Sequence, residues 1–201
     1  AMALMSLHIN PYNGAPVNYI EKIVKSFDGE QIGDKNLIND DIFGLIVLQN
    51  AGYSKDDKII SKLISHIISK QNLNGSWGGS VDMTSASIMA LYDFKDIKDN
   101  NEIKNSIRRG FKYIKSNEVI KGNKNFGNAS TASWAMQAFD LEDCYSDEIE
   151  RGLKFLARRQ DNEDGFMKDE EGNSLLWATA YSVPAASGLS WNEILDNFPK
   201  E

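Results

Sequence analysis

Residues 57–91 read DKIISKLISHIISKQNLNGSWGGSVDMTSASIMAL and contain two helical patterns joined by a glycine-rich turn. Over residues 57–70, isoleucine and leucine recur three and four positions apart, so a helix would carry them on one face. Residues 84–91 contain no charged side chain, which is typical of a helix that is buried on all sides. The segment therefore predicts a hairpin of an amphipathic outer helix and a buried inner helix.

Segments that resemble this inner helix recur along the chain. They are residues 41–49, 84–91, 131–139 and 178–186. Their aligned starts, at positions 40, 83, 131 and 178, are separated by 43, 48 and 47 residues. Gly44, Ser87, Ala135 and Ser182 then fall at equivalent positions, where small side chains would let neighbouring helices approach closely. A steady period of this length indicates stacked helical units.

The outer-helix pattern repeats as well. Residues 109–114 (RGFKYI) match residues 151–156 (RGLKFL) at an offset of 42. A glycine-bearing turn follows each of these segments, at residues 125–127 and at residues 164–166. The two halves of the hairpin therefore recur together, which strengthens the prediction of repeated units.

These repeats define the domain organisation that we expect. We predict one all-α domain of about four helical hairpins over residues 15–190, with amphipathic outer helices and buried inner helices. Residues 1–14 are expected to form an N-terminal extension that includes an expression scar, and residues 191–201 a C-terminal tail. Pro184 lies inside the fourth inner segment and should kink or shorten that helix.

Composition excludes several classes of function. The net charge of -7 argues against a nucleic-acid partner, because phosphate binding needs clustered lysine and arginine. The single cysteine, Cys144, cannot form an internal disulfide. No run of 18 apolar residues occurs, so we expect no membrane insertion.

The turn within residues 57–91 resembles a known repeat. Gln71, Gly75 and Trp77 are similar in order and spacing to the Gln-Trp repeat of squalene cyclase and other terpene cyclases. Residues 160–166 resemble a degenerate copy, with Phe166 in place of the tryptophan. We expect Gln71 and Gln160, which are about two repeats apart, to tie their turns to a neighbouring helix end.

Outer helix, glycine turn and small-residue inner helix together resemble the wider prenyltransferase-like α/α-toroid superfamily. Residues 39–45 (NDDIFGL) and 51–53 (AGY) look most like its non-cyclase members found on bacterial surface proteins.

The resemblance implies a ring of helical hairpins in two concentric layers. Toroids of this superfamily usually close with six hairpins, whereas this chain provides about four. It is therefore either a fragment of a longer toroid or a partial, open ring. An open ring would expose the flanks of inner helices, which invites a partner or self-association.

Three aspartates near the starts of inner segments are candidate ligand-binding residues: Asp40, Asp41 and Asp82. Carboxylates at this position can instead cap free backbone amides and offset the helix dipole. The sequence leaves both interpretations open, and capping is the simpler one.

Four aromatic residues lie at or near inner-segment starts, where a toroid's cavity would open: Trp77, Trp134, Trp177 and Tyr181. They could form a ligand-facing wall in a concave pocket. They could equally be packing residues of the core and of the repeat turns, because aromatic side chains dominate protein cores.

The catalytic signatures of the superfamily are not found in the sequence. Terpene cyclases of the second class need an Asp-x-Asp-Asp acid, and Asp40-Asp41 is the nearest approach to it. Protein prenyltransferases hold zinc with Asp, Cys and His. Here Cys144, interpreted as an inert semi-buried residue, and the two histidines, His8 and His66, do not form such a set. We assign His66 to the polar side of its helix. We predict no catalytic residue, no metal site and no cofactor.

These observations favour a non-catalytic binding or interaction module of a bacterial extracellular or cell-surface protein. Its partner could be a small molecule, a protein or a glycan. Two alternatives stay open: a terpene cyclase-like or prenyltransferase-like enzyme with an unfamiliar acid, and a structural spacer without a ligand.

Overall fold

The computed structural model describes residues 1–97, 101–119, 125–160 and 175–201, and the regular structure in these ranges is helical. The α-helices are α1 (Met2–Met5), α2 (Tyr19–Lys25), α3 (Ile38–Asn50), α4 (Lys58–Ser69), α5 (Val81–Tyr92), α6 (Asn101–Asn117), α7 (Ala129–Phe139), α8 (Ser146–Ala157), α9 (Leu175–Ala186) and α10 (Trp191–Ile194). No β-strand forms in these ranges, where isolated bridges close three turns. The all-α prediction is confirmed.

Helix α4 has the single apolar face that its sequence predicts. Its buried residues are Ile59, Ile60, Leu63, Ile64, Ile67 and Ile68. The lysines and serines between them are exposed. Burial of each of these side chains stabilises the fold by about 1.5–3 kcal/mol relative to exposure. The helix is therefore held mainly by what it packs against.

The inner helices α5 and α7 are buried along most of their length. Every residue from Thr84 to Leu91 is buried, and so is every residue from Ala132 to Phe139. Buried serines on them donate to carbonyls one turn earlier, as Ser87 does to Met83 (2.8 Å). Because these hydroxyls have a partner, their burial carries little cost.

Helices α3, α5 and α7 each pack more on the outer helix that follows in the chain than on the outer helix that precedes. Helix α3 packs on α4, α5 on α6 and α7 on α8, while the inner helices contact one another in the order α3, α5, α7, α9. This differs from the hairpin read from the sequence, in which an inner helix pairs with the outer helix before it. The glycine turn instead carries the chain from one packed pair to the next.

Glycines on the outer helices make this packing close. A Cβ at Gly110 of α6 would lie 3.0 Å from Ile88 Cδ1 and 3.1 Å from the Trp77 ring. A Cβ at Gly152 of α8 would lie 2.4 Å from Met136 Sδ. The two glycines are equivalent in the repeated segments of residues 109–114 and 151–156. The repeat therefore preserves a point of close contact between an outer helix and an inner helix.

Side-chain hydrogen bonds tie each glycine turn to the outer helix beyond it. Gln71 Nε2 donates to the carbonyls of Gly75 and Ser106, both at 2.9 Å, and Gln71 Oε1 accepts from Arg109 Nε at 3.0 Å. In the next unit, the carboxylate of Glu118 accepts two hydrogen bonds of 2.8 Å from Arg151. Gln71 thus has the linking role expected of it, although its target lies in the middle of α6 rather than at a helix end.

The two chain ends pack on the same core. Met5 and Leu195 are buried within it, and Tyr12 donates to the Ala51 carbonyl at 2.6 Å. The backbone amide of Phe198 donates to the Asn50 carbonyl at 2.7 Å. The C-terminal segment therefore lies across the carboxyl-terminal end of α3.

Candidate functional site

Helix α9 has one packed side and one exposed side. Ala178, Ser182 and Ala185 are buried, and Ser182 Oγ lies 3.1 Å from Ser133 Oγ of α7. The other side carries exposed apolar residues, which are Leu176, Trp177, Ala180 and Val183. We call these four residues the open flank. Trp177 is 62% exposed and Val183 55% exposed.

The position of the open flank follows from the packing of the earlier units. Because Ser87, Ala135 and Ser182 are equivalent, the residues after them are equivalent too: Ile88, Met136 and Val183. Gly110 of α6 lies against Ile88, and Gly152 of α8 lies against Met136, so these side chains are 0% and 2% exposed. Val183 occupies the position that a following outer helix covers in the two earlier units.

A cluster of aromatic rings lies beside the open flank and includes Trp177. The ring of Trp134 lies 5.4 Å from that of Tyr181, and the rings of Trp177 and Tyr181 are stacked at 5.9 Å. The ring of Trp191 lies 6.0 Å from that of Trp134, and the ring of Phe43 lies 6.1 Å from that of Trp134. Because the rings contact one another, the cluster is packed and leaves mainly Trp177 open to solvent.

The structure brings together three of the four aromatic residues proposed from sequence. Trp134, Trp177 and Tyr181 belong to this cluster, and sequence reasoning missed Phe43 and Trp191. Trp191 lies in the segment assigned to a tail, so the repeat pattern gave no signal for it. Phe43 lies in the first inner segment and could have been found by its place in the repeat.

Asp82 lies beside the same cluster. Burial raises the pKa of its carboxyl, although a hydrogen bond with the Thr131 side chain lowers it in part. Burial also raises the pKa of Tyr181, and the negative charge of Asp82 adds to this effect. The N-cap of α5 is Ser80, whose side chain accepts a hydrogen bond from the Met83 amide. Ser80 therefore provides the cap of α5, and Asp82 lies in the first turn of that helix.

Asp40 and Asp41 do not reach the cluster. The N-cap residue of α3 is Leu37 and no side chain caps the helix, but both aspartates lie in its first turn, where a carboxylate offsets the helix dipole. Asp41 is fully buried and accepts a hydrogen bond of 2.7 Å from the Ile32 amide, and Asp40 accepts one of 3.0 Å from the Asp34 amide. The two carboxylates therefore hold the preceding loop on α3.

His66 and Trp77 are also part of the packed structure. His66 does not belong to the buried face of α4: its Nε2 lies 3.5 Å from the Asp41 carboxylate and its side chain is 18% exposed. Trp77 is fully buried and donates from Nε1 to the Ile67 carbonyl at 2.6 Å. Among the two interpretations of Trp77, the contacts favour packing in the core.

Two further residues from the sequence analysis have no contact with this region. Cys144 is exposed, which corrects its assignment as semi-buried. Gln160 is exposed, and the rest of the degenerate copy at residues 160–166 lies outside the described residues. In the described part of the chain, no helix combines the length and apolar character needed to cross a bilayer.

No family model matches the chain, and no significant match was found among curated proteins or among solved structures.

Proposed function

We propose that this chain is a non-catalytic interaction module that binds an amphipathic helix of a partner protein on the open flank of α9. A single observation carries the proposal: Val183 is exposed at the position where glycine-bearing helices cover Ile88 and Met136. An exposed apolar surface of this kind is typical of a protein-binding site. Docking of an amphipathic helix on an apolar groove is a common mode of recognition.

The packing of the earlier units indicates the chemistry of the partner. The helices that cover Ile88 and Met136 are amphipathic and place a glycine at the point of contact. The surface they cover is uncharged, and no charged residue occurs between Glu171 and Glu193 around the open flank. We therefore expect the partner helix to have one apolar face with a glycine or another small residue at its centre.

The proposal includes the arrangement of the repeats. The sequential contacts of α3, α5, α7 and α9, with α4 contacting α6 outside them, support an open α/α ring of prenyltransferase-like hairpins. Helix α9, on which no helix of the described residues covers Val183, would then be one edge of that ring. The resemblance to non-cyclase repeat proteins supports a bacterial extracellular or cell-surface location.

A peptide with the sequence of Asn101–Asn117, which is helix α6, tests the proposal. We expect it to bind the intact chain saturably in a fluorescence anisotropy titration. Val183→Lys on the chain should weaken binding by about tenfold or more. It places a charge on the binding surface, and it removes a side chain whose burial would contribute about 1.5–3 kcal/mol. The matched control is Leu73→Lys, which changes a fully exposed leucine in a turn.

Other outcomes would overturn the proposal. Equal weakening by Val183→Lys and Leu73→Lys would show that the peptide binds elsewhere. A dimer in sedimentation equilibrium that Val183→Lys dissociates would identify a second copy of the chain as the occupant. If the chain binds neither the peptide nor a second copy of itself, the structural-spacer alternative would be favoured.

A further inference from the structure

The exposed side of α4 carries positive charge without any acidic neighbour on the same helix. Residues 58–81, which include α4 and the turn after it, contain three lysines and no acidic residue, although the net charge of the chain is -7. Lys58, Lys62 and Lys70 are exposed, and with His66 they recur at every fourth position along one side of the helix. Within the described residues none of the three lysines forms a salt bridge. Helix α4 therefore exposes a line of unpaired cations.

Helix α6 extends this line of charge, because it contacts α4 in the outer layer. The exposed residues of α6 include Arg108, Arg109 and Lys112. Gln71, which directly follows Lys70, accepts a hydrogen bond of 3.0 Å from Arg109 Nε, so the end of α4 lies beside the middle of α6. Together the two helices present what we call the basic face, whose residues are Lys58, Lys62, Lys70, Arg108, Arg109 and Lys112.

The turn after α4 projects a leucine beside the basic face. Asn74 Oδ1 accepts hydrogen bonds from the amide of Ser76 at 3.1 Å and from its hydroxyl at 2.8 Å, and these bonds hold the turn. Leu73, at the tip of the turn, is fully exposed. A Cβ added to Gly75 would lie 2.4 Å from the Arg109 carbonyl, so the turn rests directly on α6. The fold thus holds an apolar side chain in solvent next to a group of cations.

A depression of about 460 Å³ lies on the other side of this turn. Lys70 and His66 of α4 line it together with Lys35 of the loop before α3. The charge of Lys35 is offset in part by the carboxylate of Asp28 at 3.3 Å. Leu37, between two further lining residues, is 49% exposed. The depression therefore adds another cation and a second exposed leucine to this region.

We propose that the basic face binds the surface of an anionic lipid bilayer, with Leu73 and Leu37 in contact with the apolar boundary beneath the headgroups. Lysine and arginine side chains are attracted to a negatively charged leaflet, and apolar side chains that enter the interface add to the binding. A soluble polyanion would pair with the cations but would offer the leucines no apolar contact. Because the rest of the chain is acidic, the same electrostatic field would turn the basic face toward the lipid.

Sedimentation of the intact chain with vesicles tests this surface. The vesicles contain equal parts of phosphatidylglycerol and phosphatidylcholine, in a buffer of low salt. We expect binding that weakens as salt is added, and Lys62→Gln with Lys70→Gln should weaken it about fivefold for each lysine removed. The matched control is Lys22→Gln with Lys25→Gln, which removes the same charge from the exposed side of α2 and should leave the affinity nearly unchanged.

A second pair of variants tests the apolar contact. Leu73→Gln keeps the charge and the approximate size of the side chain, and it should weaken vesicle binding about tenfold because the leucine is no longer buried in the interface. The matched control is Leu7→Gln, which changes a leucine that is 65% exposed in the N-terminal segment and should have little effect.

Several results would overturn the proposal. Equal binding to vesicles of phosphatidylcholine alone would show that charge is not recognised. Equal weakening by the α4 and α2 variants, or by Leu73→Gln and Leu7→Gln, would show that the basic face is not the contact surface. Binding of soluble polyphosphate without any binding of vesicles would identify a polyanion as the partner, and binding of neither would leave the basic face without an anionic partner.

Discussion

Helices α5 and α9 have similar sequences and different surroundings. Both lack charge apart from Asp82 in the first turn of α5, and Ser87 and Ser182 occupy equivalent positions in them. Helix α5 has α6 packed on it, so Ile88 is fully buried, whereas Val183 on α9 is 55% exposed. An uncharged helix in this repeat is therefore suited to being covered, and α9 keeps this property although no helix in the described ranges covers Val183.

The largest expected effect comes from truncating the two equivalent side chains. Ile88→Ala should lower the free energy of unfolding by about 2–5 kcal/mol, because it leaves a cavity beneath α6. Val183→Ala should change it by less than about 0.5 kcal/mol, because most of the valine already faces water. Urea denaturation of both variants, compared at a constant m-value, measures the difference.

Equal losses in that experiment would contradict the comparison. They would mean that Val183 is covered in solution, as in a stable oligomer. A repeat of the measurement at tenfold lower protein concentration would then separate an oligomer from a monomer, because only an oligomer loses stability on dilution.

A smaller effect is expected at the glycine that lets α6 cover α5. Gly110→Ala adds a methyl group about 3 Å from Ile88 Cδ1 and from the rigid Trp77 ring. Overpacking costs about 1–3 kcal/mol, partly offset by the better helix propensity of alanine, about 0.5–1 kcal/mol. We expect a net loss of stability in thermal unfolding.

The double variant Ile88→Val with Gly110→Ala sharpens this test. Removal of Cδ1 makes room for the new methyl, so the double variant should lose less stability than the two single losses added together. Strict additivity would mean that Gly110 does not limit the approach of α6 to α5.

The sequence predicted the repeated helices because their patterns are local. The stripe on α4, the uncharged run on α5 and the linking role of Gln71 are each encoded within about one repeat of the chain. The pairing of each inner helix with the outer helix after it was not predicted. Periodicity shows which face of a helix is apolar but not which neighbour covers it.

The candidate site was predicted only in part for the same reason. Trp134, Trp177 and Tyr181 were found because they stand at inner-segment starts, and the structure brings their rings together. Trp77 stands at the same kind of place, yet its indole donates to the Ile67 carbonyl inside the core. The hydrogen bonds that Gln49 and Asn192 donate to carbonyls of α5 join residues 41 and 103 positions apart, and no local pattern contains such contacts.

The smallest effect on stability is expected from the polar contacts that hold the covering helices α6 and α8. Arg109 of α6 binds the neutral amide of Gln71, whereas around α8 the carboxylates of Glu118 and Glu148 meet Arg151 and Lys115. Burial alone would raise the pKa of Glu148, but the hydrogen bond from Lys115 and the charges of Lys115 and Arg151 lower it overall. The packing of α8 on α7 should therefore weaken in acid, whereas the packing of α6 on α5 does not depend on these carboxylates.

The sign of this dependence follows from the lowered pKa of Glu148. A carboxyl whose pKa is lower in the folded state stabilises the fold above its unfolded value of 4.5, and this stabilisation is lost as pH falls through the folded value. Glu148→Gln should thus lose less stability between pH 7 and pH ~3 than the unchanged chain, by less than about 1 kcal/mol because Lys115 is largely exposed. Glu21→Gln, which removes an equal charge from the exposed side of α2, is the matched control. Chemical denaturation at both pH values measures the difference, and an acid dependence that Glu148→Gln leaves unchanged would show that α8 is held by its apolar contacts alone.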